Sequence, residues 1–347
     1  MRIESVKAAY PSRVVSNDDV LEMVSEHSEA SLGDELGEAL KRIKFYLHYS
    51  GSNTRNWLAE GERPIDFVAT AVESALAQAG VAADEIDVVV YVGIGRGFLE
   101  PGGAYHVAAA LGLTRAHCFD VIDACMSWTR AMQLVQSLFR GSEYRRALVV
   151  NAEFNMYRGG AIYPAVFKLP SVDAVEWTFP SFTLGEAATA TVVEAEDDHP
   201  WRFEYSSRPD LADLCNIPIH GHEGYGVGSD RIARNGVGRF TSFGFDLHAE
   251  GNPEIIEVYR RLGVPREEIA AVYTHASSQR EWSKMAEEVG IGDRVWHIYS
   301  KAGNVVSASV PAAIASSIEA GRVERGDRLV GWVGSAGMSF CAYSFIY

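Results

Sequence analysis

The sequence predicts the same order of strands and helices twice along the chain. This internal repeat restricts the possible folds more than any other feature. The segment AGVAADEIDVVVYVG at residues 79–93 aligns with LGVPREEIAAVYTHA at residues 262–276. Each half contains a strand, a helix, a second strand, a turn of small residues, a second helix and a third strand. Alternating strands and helices predict parallel sheets that are covered by helices.

Hydrophobic periodicity and glycine positions give the bounds of the predicted elements. Residues 64–79 place apolar side chains at helical spacing, and Gly80 ends that helix. Residues 86–92 form an apolar, β-branched run, which predicts a buried strand. The same patterns predict further helices at about 104–111, 126–140, 253–262, about 278–289 and 307–319, and further strands at 117–122, 146–151, 269–274, 294–299 and 328–333.

The size and composition of the chain are compatible with one large body made of two halves. It has 347 residues, of which 47% are hydrophobic and 22% are charged, so disorder is not indicated. We place the halves at residues 1–180 and 181–347. Two α/β halves pack most simply as a layered α/β/α/β/α body about a pseudo-twofold axis. We therefore predict an α/β fold with five layers.

Charge and hydropathy exclude several classes of function. The net charge of −15 argues against broad, non-specific binding of nucleic acid, which needs a basic surface. The N-terminal segment MRIESVKAAYPSRVVSNDDV contains no apolar stretch of the kind found in signal peptides. No run approaches the roughly 20 apolar residues that a membrane helix needs. We predict a cytoplasmic protein that binds neither nucleic acid nor membrane.

The cysteines provide a candidate nucleophile but no metal site. Cys118, Cys125, Cys215 and Cys341 are scattered and show no CxxC spacing, so neither a zinc site nor a disulfide framework is predicted. Cys125 follows a predicted strand and opens a predicted helix, where the helix dipole and unpaired amides lower the pKa of a thiol. Such a thiol is suited to take an acyl group from a thioester. The alternative is that Cys125 is a small buried residue.

Two further polar residues follow the ends of predicted strands in the second half, namely His275 and Asn304. Ligands of open α/β sheets bind beyond the carboxyl ends of the strands. If the two halves pack about a pseudo-twofold axis, both residues converge with Cys125. Each also has a structural interpretation, because a histidine at a strand end is often structural and Asn304 can cap a helix that begins near Ser307.

Several segments occur in an order that resembles one known enzyme family. Their sequences are similar to those of the ketoacyl synthase III family of condensing enzymes, which belongs to the thiolase-fold superfamily. The resemblance spans nearly the whole chain and implies a thiolase-like fold, with the nucleophile in the first half and the histidine and asparagine in the second. The segments are SGSNTRNW at 50–57, DACMSW at 123–128, LGEAATATVV at 184–193, THASS at 274–278, KAGNVVSASVPAAI at 301–314 and GSAGMSF at 334–340.

This resemblance implies a mechanism that proceeds through an acyl-enzyme. Cys125 would take the acyl group from acyl-CoA or acyl carrier protein, and the backbone amides of Cys125 and Ala336 would form the oxyanion hole. His275 and Asn304 would hydrogen-bond a malonyl-type thioester and stabilise the enolate formed by decarboxylation. The family implies no permanently bound cofactor. The product would enter fatty acid, polyketide or other secondary-metabolite biosynthesis.

Departures from the family pattern surround the predicted site and leave the second step open. Thr274 stands where the family commonly has proline, and Ala276, Ser277 and Ser278 replace a glutamine–alanine–asparagine run. One alternative is therefore transfer of the acyl group to a hydroxyl or amine. Another is a non-catalytic partner in a heterodimer, although such relatives usually lose the nucleophile. A dinucleotide-binding loop at 93–97 is discounted because its glycine pattern is incomplete.

The resemblance also implies residues that bind substrates and partners. Arg55 and Trp57 would contact the nucleotide part of CoA, with Trp57 stacked on adenine; the alternative is a surface arginine beside a packed tryptophan. Arg280 would dock acyl carrier protein, or belong to a solvated helix face. Phe98 would line the acyl pocket of a homodimer partner, or pack into its own core. Met126, directly after the nucleophile, would also border the acyl pocket.

Overall fold

In the computed structural model, the sequence repeat becomes two sheets built on one plan. The structure describes residues 1–141, 143–196, 198 and 200–347. The strands are β1 (Arg2–Ala9), β2 (Arg13–Ser16), β3 (Thr54–Trp57), β4 (Val88–Val92), β5 (His117–Val121), β6 (Arg146–Glu153), β7 (Ala187–Glu194), β8 (Arg202–Ser207), β9 (Cys215–Asn216), β10 (Thr241–Ser242), β11 (Ile269–Thr274), β12 (Val295–Trp296), β13 (Arg328–Ser335) and β14 (Ser339–Ile346).

The helices lie between these strands and are joined to them by loops and short 3-10 turns. They are α1 (Asn17–Leu32), α2 (Leu36–Ser50), α3 (Pro64–Ala79), α4 (Gly103–Ala110), α5 (Ser127–Gly141), α6 (Val175–Thr178), α7 (Gly244–Leu262), α8 (Gln279–Glu288), α9 (Tyr299–Ala302) and α10 (Ser309–Glu319). Within the described residues, no helix has both the length and the apolar character needed to cross a bilayer.

The two large sheets share one strand order, which confirms that the halves are structural repeats. The first sheet runs β1-β7-β6-β4-β5, and the second runs β8-β14-β13-β11-β12. In each sheet the last three strands of that order are parallel, and the other neighbouring pairs are antiparallel. The prediction of parallel sheets therefore holds for three strands of each sheet and fails for the other two. In the second half, β14 follows β13 after a turn of only three residues, too short for the crossover that a parallel neighbour needs.

Apolar clusters on the faces of the sheets define five layers. Between the sheets, α5 and α10 contribute Trp128, Met132 and Ile314 to a core that also contains side chains from both sheets. Helices α3 and α4 cover the outer face of the first sheet. Helices α7 and α8 cover the outer face of the second sheet. The predicted α/β/α/β/α architecture is therefore confirmed.

The division of strands between the sheets differs from the predicted division of the chain. Strand β7 pairs with β1 and β6, so residues up to Glu194 belong to the first sheet. The second sheet begins at β8. The boundary predicted between residues 180 and 181 thus precedes the last strand of the first sheet.

Two elements of the second half also differ from their predicted bounds. Helix α7 begins at Gly244, nine residues before the predicted start at Pro253, and Pro253 lies inside it. Proline is common in the first turn of helices, which is why the sequence pattern places the start there. The strand predicted at 294–299 is extended only at Val295–Trp296, and the chain then enters the short helix α9.

We expect substitution of Gly331 by alanine to destabilise the second sheet. Gly331 on β13 lies opposite Tyr343 on β14, and an added Cβ would overlap the Tyr343 ring. Such overpacking typically lowers the free energy of unfolding by about 1–3 kcal/mol. The measurement is urea denaturation followed by circular dichroism. The matched control is Gly37→Ala in α2, where a Cβ meets no atom within 4 Å; equal unfolding free energies for the two variants would contradict the expectation.

Candidate active site

One cavity brings together the predicted catalytic residues from both halves of the chain. It has a volume of about 570 Å³, and its wall includes Cys125, His275, Asn304 and Ala336. Cys125 comes shortly after β5, His275 directly follows β11, and Ala336 directly follows β13. The cavity therefore lies beyond the carboxyl ends of parallel strands in both sheets, where α/β folds bind their ligands.

Cys125 lies in a tight turn ahead of α5. The turn is a 3-10 segment over Ala124–Met126, and Ala124 has a φ of 43°, a conformation that is unfavourable for a residue with a side chain. The backbone N–H of Met126 donates to the Asp123 carbonyl (2.8 Å) and to Ser335 Oγ (3.2 Å). Ser335 Oγ donates in turn to the Asp123 carbonyl (3.2 Å). These bonds join the turn of Cys125 to the end of β13.

The pKa of the Cys125 thiol is raised well above its ordinary value, mainly by burial and then by the nearby Cys215, Glu153 and Asp123. The sequence-based expectation that a helix terminus lowers this pKa was wrong. Cys125 precedes the first residue of α5 and lies in the cavity wall, so loss of solvation outweighs the helix dipole. The free thiol is protonated at neutral pH, and a base is needed to activate it.

Hydrogen bonds select one tautomer of His275. Ser309 Oγ donates to the Val306 carbonyl (2.7 Å), so it has no proton to give to the imidazole. It lies 3.3 Å from His275 Nδ1 and therefore accepts from that nitrogen. Burial, followed by the neighbouring His248, lowers the pKa of His275 to about 3. The neutral imidazole thus carries its proton on Nδ1 and keeps an unprotonated Nε2.

Hydrogen bonds also determine the orientation of the Asn304 amide. Its Oδ1 accepts from the backbone N–H of Val306 (2.9 Å), which leaves the Nδ2 group as a donor. The backbone of Asn304 bonds to Thr183 and to Gly185, so the residue is held beside the segment that precedes β7. Asn304 lines the cavity together with His275. The pair offers a substrate one donor and one acceptor.

The amide of Ala336 lies between the two antiparallel strands at the end of the second half. Its residue lines the cavity with Cys125. Among the described residues, no group accepts a hydrogen bond from this N–H. It is therefore a free donor that can bind an oxyanion close to the cysteine.

The structure places Arg55 and Trp57 in the core, which argues against the prediction that they contact CoA. Arg55 is fully buried and donates to the Val15 carbonyl, Asn17 Oδ1 and Ser52 Oγ. Trp57 is 3% exposed and its indole N–H donates to the Leu184 carbonyl (2.8 Å). Both lie on β3, whose pairing with β2 turns these side chains inward.

Met126 does not border the cavity as predicted, and the predicted contact of Phe98 with the acyl pocket of a partner subunit stays a prediction. Met126 is fully buried in the core between the sheets and does not line the cavity, since consecutive side chains of a helical turn point in different directions. Phe98 is half-exposed and stacks on His106, with ring centroids 3.7 Å apart. Its side chain is neither in the cavity nor tucked into the core of its own chain.

Arg280 lies on the surface beside the cavity. It lies in the first turn of α8, and its guanidinium stacks over the ring of Tyr49, 4.3 Å from the centroid. Tyr49 and Lys284 are themselves part of the cavity wall. Basic side chains therefore border this part of the cavity, and the predicted contact of Arg280 with a carrier protein stays a prediction.

Sequence reasoning missed several polar residues of the cavity wall. These are Tyr49, Cys215, His248, Asn252 and Glu281. Two of them lie in the part of α7 that precedes Pro253, where no helix was predicted. Only the helical spacing of His248 and Asn252, four residues apart, provided a signal. Among the described residues, no group of His, Cys, Asp and Glu side chains is arranged to hold a metal ion.

The buried carboxyl group of Glu153 joins two loops that contribute to the cavity wall. Glu153, at the end of β6, accepts hydrogen bonds from the backbone N–H of Gly95 (3.0 Å), from Asn155 Nδ2 (3.0 Å) and from the hydroxyl and amide of Ser307. Burial raises its pKa although these bonds lower it. Since Ser307 belongs to the segment of Asn304, Glu153 ties that segment to the loop after β4.

We expect Glu153→Gln to lower the free energy of unfolding by about 1–3 kcal/mol, because the new NH₂ group faces donors and leaves buried polar groups unpaired. Thermal and urea unfolding measure this effect. Glu38→Gln is the matched control, since Glu38 is exposed and its ion pair within the described part of the chain is with Arg42, at 3.1 Å. A Glu153 variant as stable as the control would show that these bonds contribute little.

Comparison with known proteins agrees with this architecture. Residues 259–346 match the family model described as 3-Oxoacyl-[acyl-carrier-protein (ACP)] synthase III C terminal. The beta-ketoacyl-[acyl-carrier-protein] synthase III of Rhodospirillum centenum is 26% identical over 327 residues, which cover 92% of this chain and 90% of that protein. The enzyme of the same name from Brucella canis is 25% identical over 333 residues, covering 94% and 92%.

Solved structures show the same fold at lower identity. Xanthomonas campestris OleA with bound lauric acid and lauroyl-CoA superposes with a TM-score of 0.82 and 19% identity, over 99% of this chain and 98% of that one. The 3-oxoacyl-[acyl-carrier-protein] synthase III of Aquifex aeolicus gives 0.77 and 20%, over 100% and 99%. Over most of its length the chain is therefore similar in sequence to beta-ketoacyl-[acyl-carrier-protein] synthase III enzymes, and it shares its fold with OleA and with the Aquifex aeolicus synthase.

Proposed function

We propose that this chain carries an acyl group on Cys125 and condenses it with a malonyl-type thioester. The acyl donor is acyl-CoA or acyl carrier protein, and the product serves fatty acid, polyketide or other secondary-metabolite biosynthesis. The observation that carries the proposal is the single cavity whose wall includes Cys125, His275, Asn304 and Ala336. It supplies a nucleophile, a base, an amide donor and a free backbone N–H.

The first step needs removal of the Cys125 proton, because the thiol is protonated at neutral pH. The unprotonated Nε2 of His275 takes that proton as the sulfur attacks the thioester carbonyl. The amides of Cys125 and Ala336 hold the resulting oxyanion. The carbon–sulfur bond of the donor then breaks, and the proton passes from His275 to the leaving thiolate.

The second step forms the carbon–carbon bond. The malonyl group loses carbon dioxide, and Asn304 Nδ2 donates to the oxygen of the enolate that forms. The enolate carbon attacks the acyl carbonyl on Cys125, and the cysteine leaves as a thiolate that regains a proton from water. No base has to remove a proton from the malonyl carbon, because its electron pair comes from the broken bond to the carboxylate.

The residues of the cavity wall support an apolar acyl group as the bound substrate. The apolar members of the wall come from both halves of the chain and from the segment between β9 and β10. The lining therefore offers apolar side chains to a bound acyl group, as expected of a site that binds acyl chains. These residues are Ile94, Ile162, Phe179, Leu184, Ile217, Phe240, Phe245, Leu247, Ile255 and Met338.

Homodimer formation is part of the proposal. Strand β5 is at the edge of the first sheet, and unpaired edges favour association with another strand. Exposed apolar side chains lie close by in sequence, with Leu99 81% exposed and Ile122 61% exposed. Phe98 in the same loop is then available to a partner subunit. Sedimentation equilibrium tests this assembly.

The proposed condensation is tested by incubating the enzyme with a panel of acyl-CoAs and malonyl-CoA. We expect an acyl adduct by intact-protein mass spectrometry, carbon dioxide release that depends on the adduct, and a 3-oxoacyl product. Ester or amide products without carbon dioxide would overturn condensation. No adduct with any donor would favour a non-catalytic partner.

The tautomer of His275 favours one second candidate function, which is transfer of the acyl group to a hydroxyl or amine. An unprotonated Nε2 accepts a hydrogen bond, whereas an enolate oxygen needs donors. In the free enzyme only Asn304 provides such a donor from this pair. Acyl-enzyme mixed with small alcohols and amines in place of malonyl-CoA distinguishes this candidate.

A further inference from the structure

A second histidine lies in the cavity wall and has no part in the mechanism described above. His248 is in the second turn of α7 and lines the same cavity as Cys125 and His275. Its charge and that of His275 influence each other, since His248 contributes to the lowered pKa of His275. The two imidazoles therefore border one cavity, and a proton on one disfavours a proton on the other.

A chain of hydrogen bonds selects the tautomer of His248. Asn252 lies four residues later on α7, and its Oδ1 is 3.1 Å from His248 Nδ1. The Nδ2 of Asn252 donates to Glu281 Oε2 at 3.3 Å. An ionised carboxylate only accepts, so the NH₂ end of the amide must face Glu281 and the oxygen must face His248. The Nδ1 of His248 therefore carries the proton.

Hydrogen bonds keep Glu281 ionised, and this determines the orientation of the Asn252 amide. The Oε1 of Glu281 accepts from Tyr49 OH at 3.0 Å and from Lys284 Nζ at 2.7 Å. Lys284 also donates to Tyr49 OH at 2.9 Å. Although burial raises the pKa of Glu281, the bonds from Lys284 and Tyr49 bring it below its ordinary value. Glu281, Asn252 and His248 thus form a relay of hydrogen bonds, which we call the His248 relay, from an anion through an amide to an imidazole.

The outer nitrogen of His248 is left with a free lone pair. Among the described residues, no group forms a hydrogen bond with its Nε2, while the side chain borders the cavity. Burial lowers the pKa of His248, although the bond to Asn252 raises it, so the ring is neutral at physiological pH. A neutral imidazole in one tautomer, oriented by an amide and a carboxylate, has the features of a general base.

We propose that His248 is the base that removes the proton from a hydroxyl or amine acceptor when the acyl group leaves Cys125. The inference rests on the acyl-enzyme of the proposed function, and it assigns the residue that would serve an O–H or N–H nucleophile. A malonyl acceptor loses carbon dioxide and needs no base, so condensation leaves the His248 relay without a role.

The groups of the site and the acceptor account for every bond and proton of this step. The acceptor oxygen or nitrogen attacks the acyl carbonyl on Cys125 while its proton moves to His248 Nε2. The amides of Cys125 and Ala336 hold the tetrahedral oxyanion. The bond between the carbonyl carbon and Cys125 Sγ then breaks, and the proton passes from His248 to the thiolate. The products are an ester or amide and the free thiol, and no oxidant or reductant is consumed.

The test separates discharge of the acyl-enzyme from its formation. Wild-type protein is first loaded with an acyl-CoA and freed from excess donor. It is then mixed with a panel of primary alcohols and amines, with malonyl-CoA, or with buffer alone, and loss of the acyl mass is followed by rapid quench and intact-protein mass spectrometry. The variants are His248→Gln and His248→Ala, and the control is His27→Gln, because His27 contacts Tyr163 away from the cavity.

We expect at least one alcohol or amine to discharge the wild-type acyl-enzyme with formation of an ester or amide. His248→Gln should slow that discharge by about 10²–10⁴-fold, the usual contribution of a general base. Added imidazole should restore part of the rate in His248→Ala, which a merely structural role would not allow. The His27→Gln control should match the wild type.

Two results would overturn this inference and leave the proposed function intact. One is a loaded wild-type enzyme that malonyl-CoA discharges while no alcohol or amine does. The other is discharge by the acceptor at an unchanged rate in His248→Gln, or a loss that imidazole does not restore in His248→Ala. Failure of Cys125 to acquire any acyl group would overturn the proposed function itself, and this inference with it.

Discussion

Replacing Cys125 with alanine is expected to abolish the acyl-enzyme and to lower product formation by at least about 10⁴-fold, as loss of a catalytic nucleophile generally does. The thiol is the only group of the proposed mechanism that forms a covalent bond with the acyl carbon. The remaining donors of the cavity can still bind substrate, so the variant should retain binding of acyl-CoA. Intact-protein mass spectrometry and product assays measure the two effects.

Cys215→Ala is the matched control, because Cys215 lines the same cavity and lies near Cys125 in the structure. Its pKa is raised to about 11, mainly by burial, and its hydroxyl neighbour Ser242 is not a base. This variant should keep the adduct and most of the activity. An adduct that persists in Cys125→Ala and disappears in Cys215→Ala would show that Cys215, and not Cys125, is the nucleophile.

Much of the fold was predictable because the two halves carry local patterns that tertiary contacts reinforce. Helix α3 and strand β11 have the predicted bounds, since amphipathic periodicity and a β-branched run each agree with the final packing. The sequence did not allow us to predict which strands of each sheet run antiparallel to their neighbours. The direction depends on the length of the connection and on which edge is free, and neither is a local property.

The members of the candidate site could be named from strand ends and motifs, but their chemistry could not. The raised pKa of Cys125 comes from burial among residues distant in sequence, while the local helix start suggested the reverse. Arg55 and Met126 illustrate the same limit. Each stands in a motif that resembles a binding segment, yet packing directs both side chains into the core.

The His248 relay was missed for a related reason. The helix pattern was traced only from Pro253 onward, although α7 begins at Gly244. The relay also joins α7 to α8 through Asn252 and Glu281, a contact between residues 29 positions apart. A sequence shows neither the packing of these helices nor the amide orientation that determines the tautomer.

A pair of substitutions should separate the two steps of catalysis. His275→Ala removes the base and is expected to slow acylation of Cys125 by about 10²–10⁴-fold. Asn304→Asp keeps an oxygen for the N–H of Val306 but removes the Nδ2 donor. It is expected to leave acylation close to the wild-type rate and to slow the condensation step by about 10²–10³-fold. Rapid-quench mass spectrometry measures both rates.

The pH dependence of acylation provides a further check on the role of His275. Burial, followed by the charge of His248, lowers its pKa from 6.5 to about 3, so the imidazole stays neutral above pH 4. The Cys125 thiol stays protonated over the same range. Because neither partner changes its state, the acylation rate should be flat between about pH 5.5 and 7.5. A fall in rate centred near pH 6.5 would contradict a buried, neutral base.

The lowered pKa of His275 also makes the stability of the fold depend on pH in the acid range. The unfolded chain binds a proton at this imidazole near pH 6.5, and the folded chain does not until about pH 3. The lowered pKa of His275 therefore has no effect on stability above pH 6.5, and it lowers the free energy of unfolding progressively as the pH falls toward 3. His275→Ala should weaken this acid sensitivity in urea unfolding and slow acylation at every pH. A variant that altered acid stability but left acylation unchanged would show that His275 is buried without acting as the base.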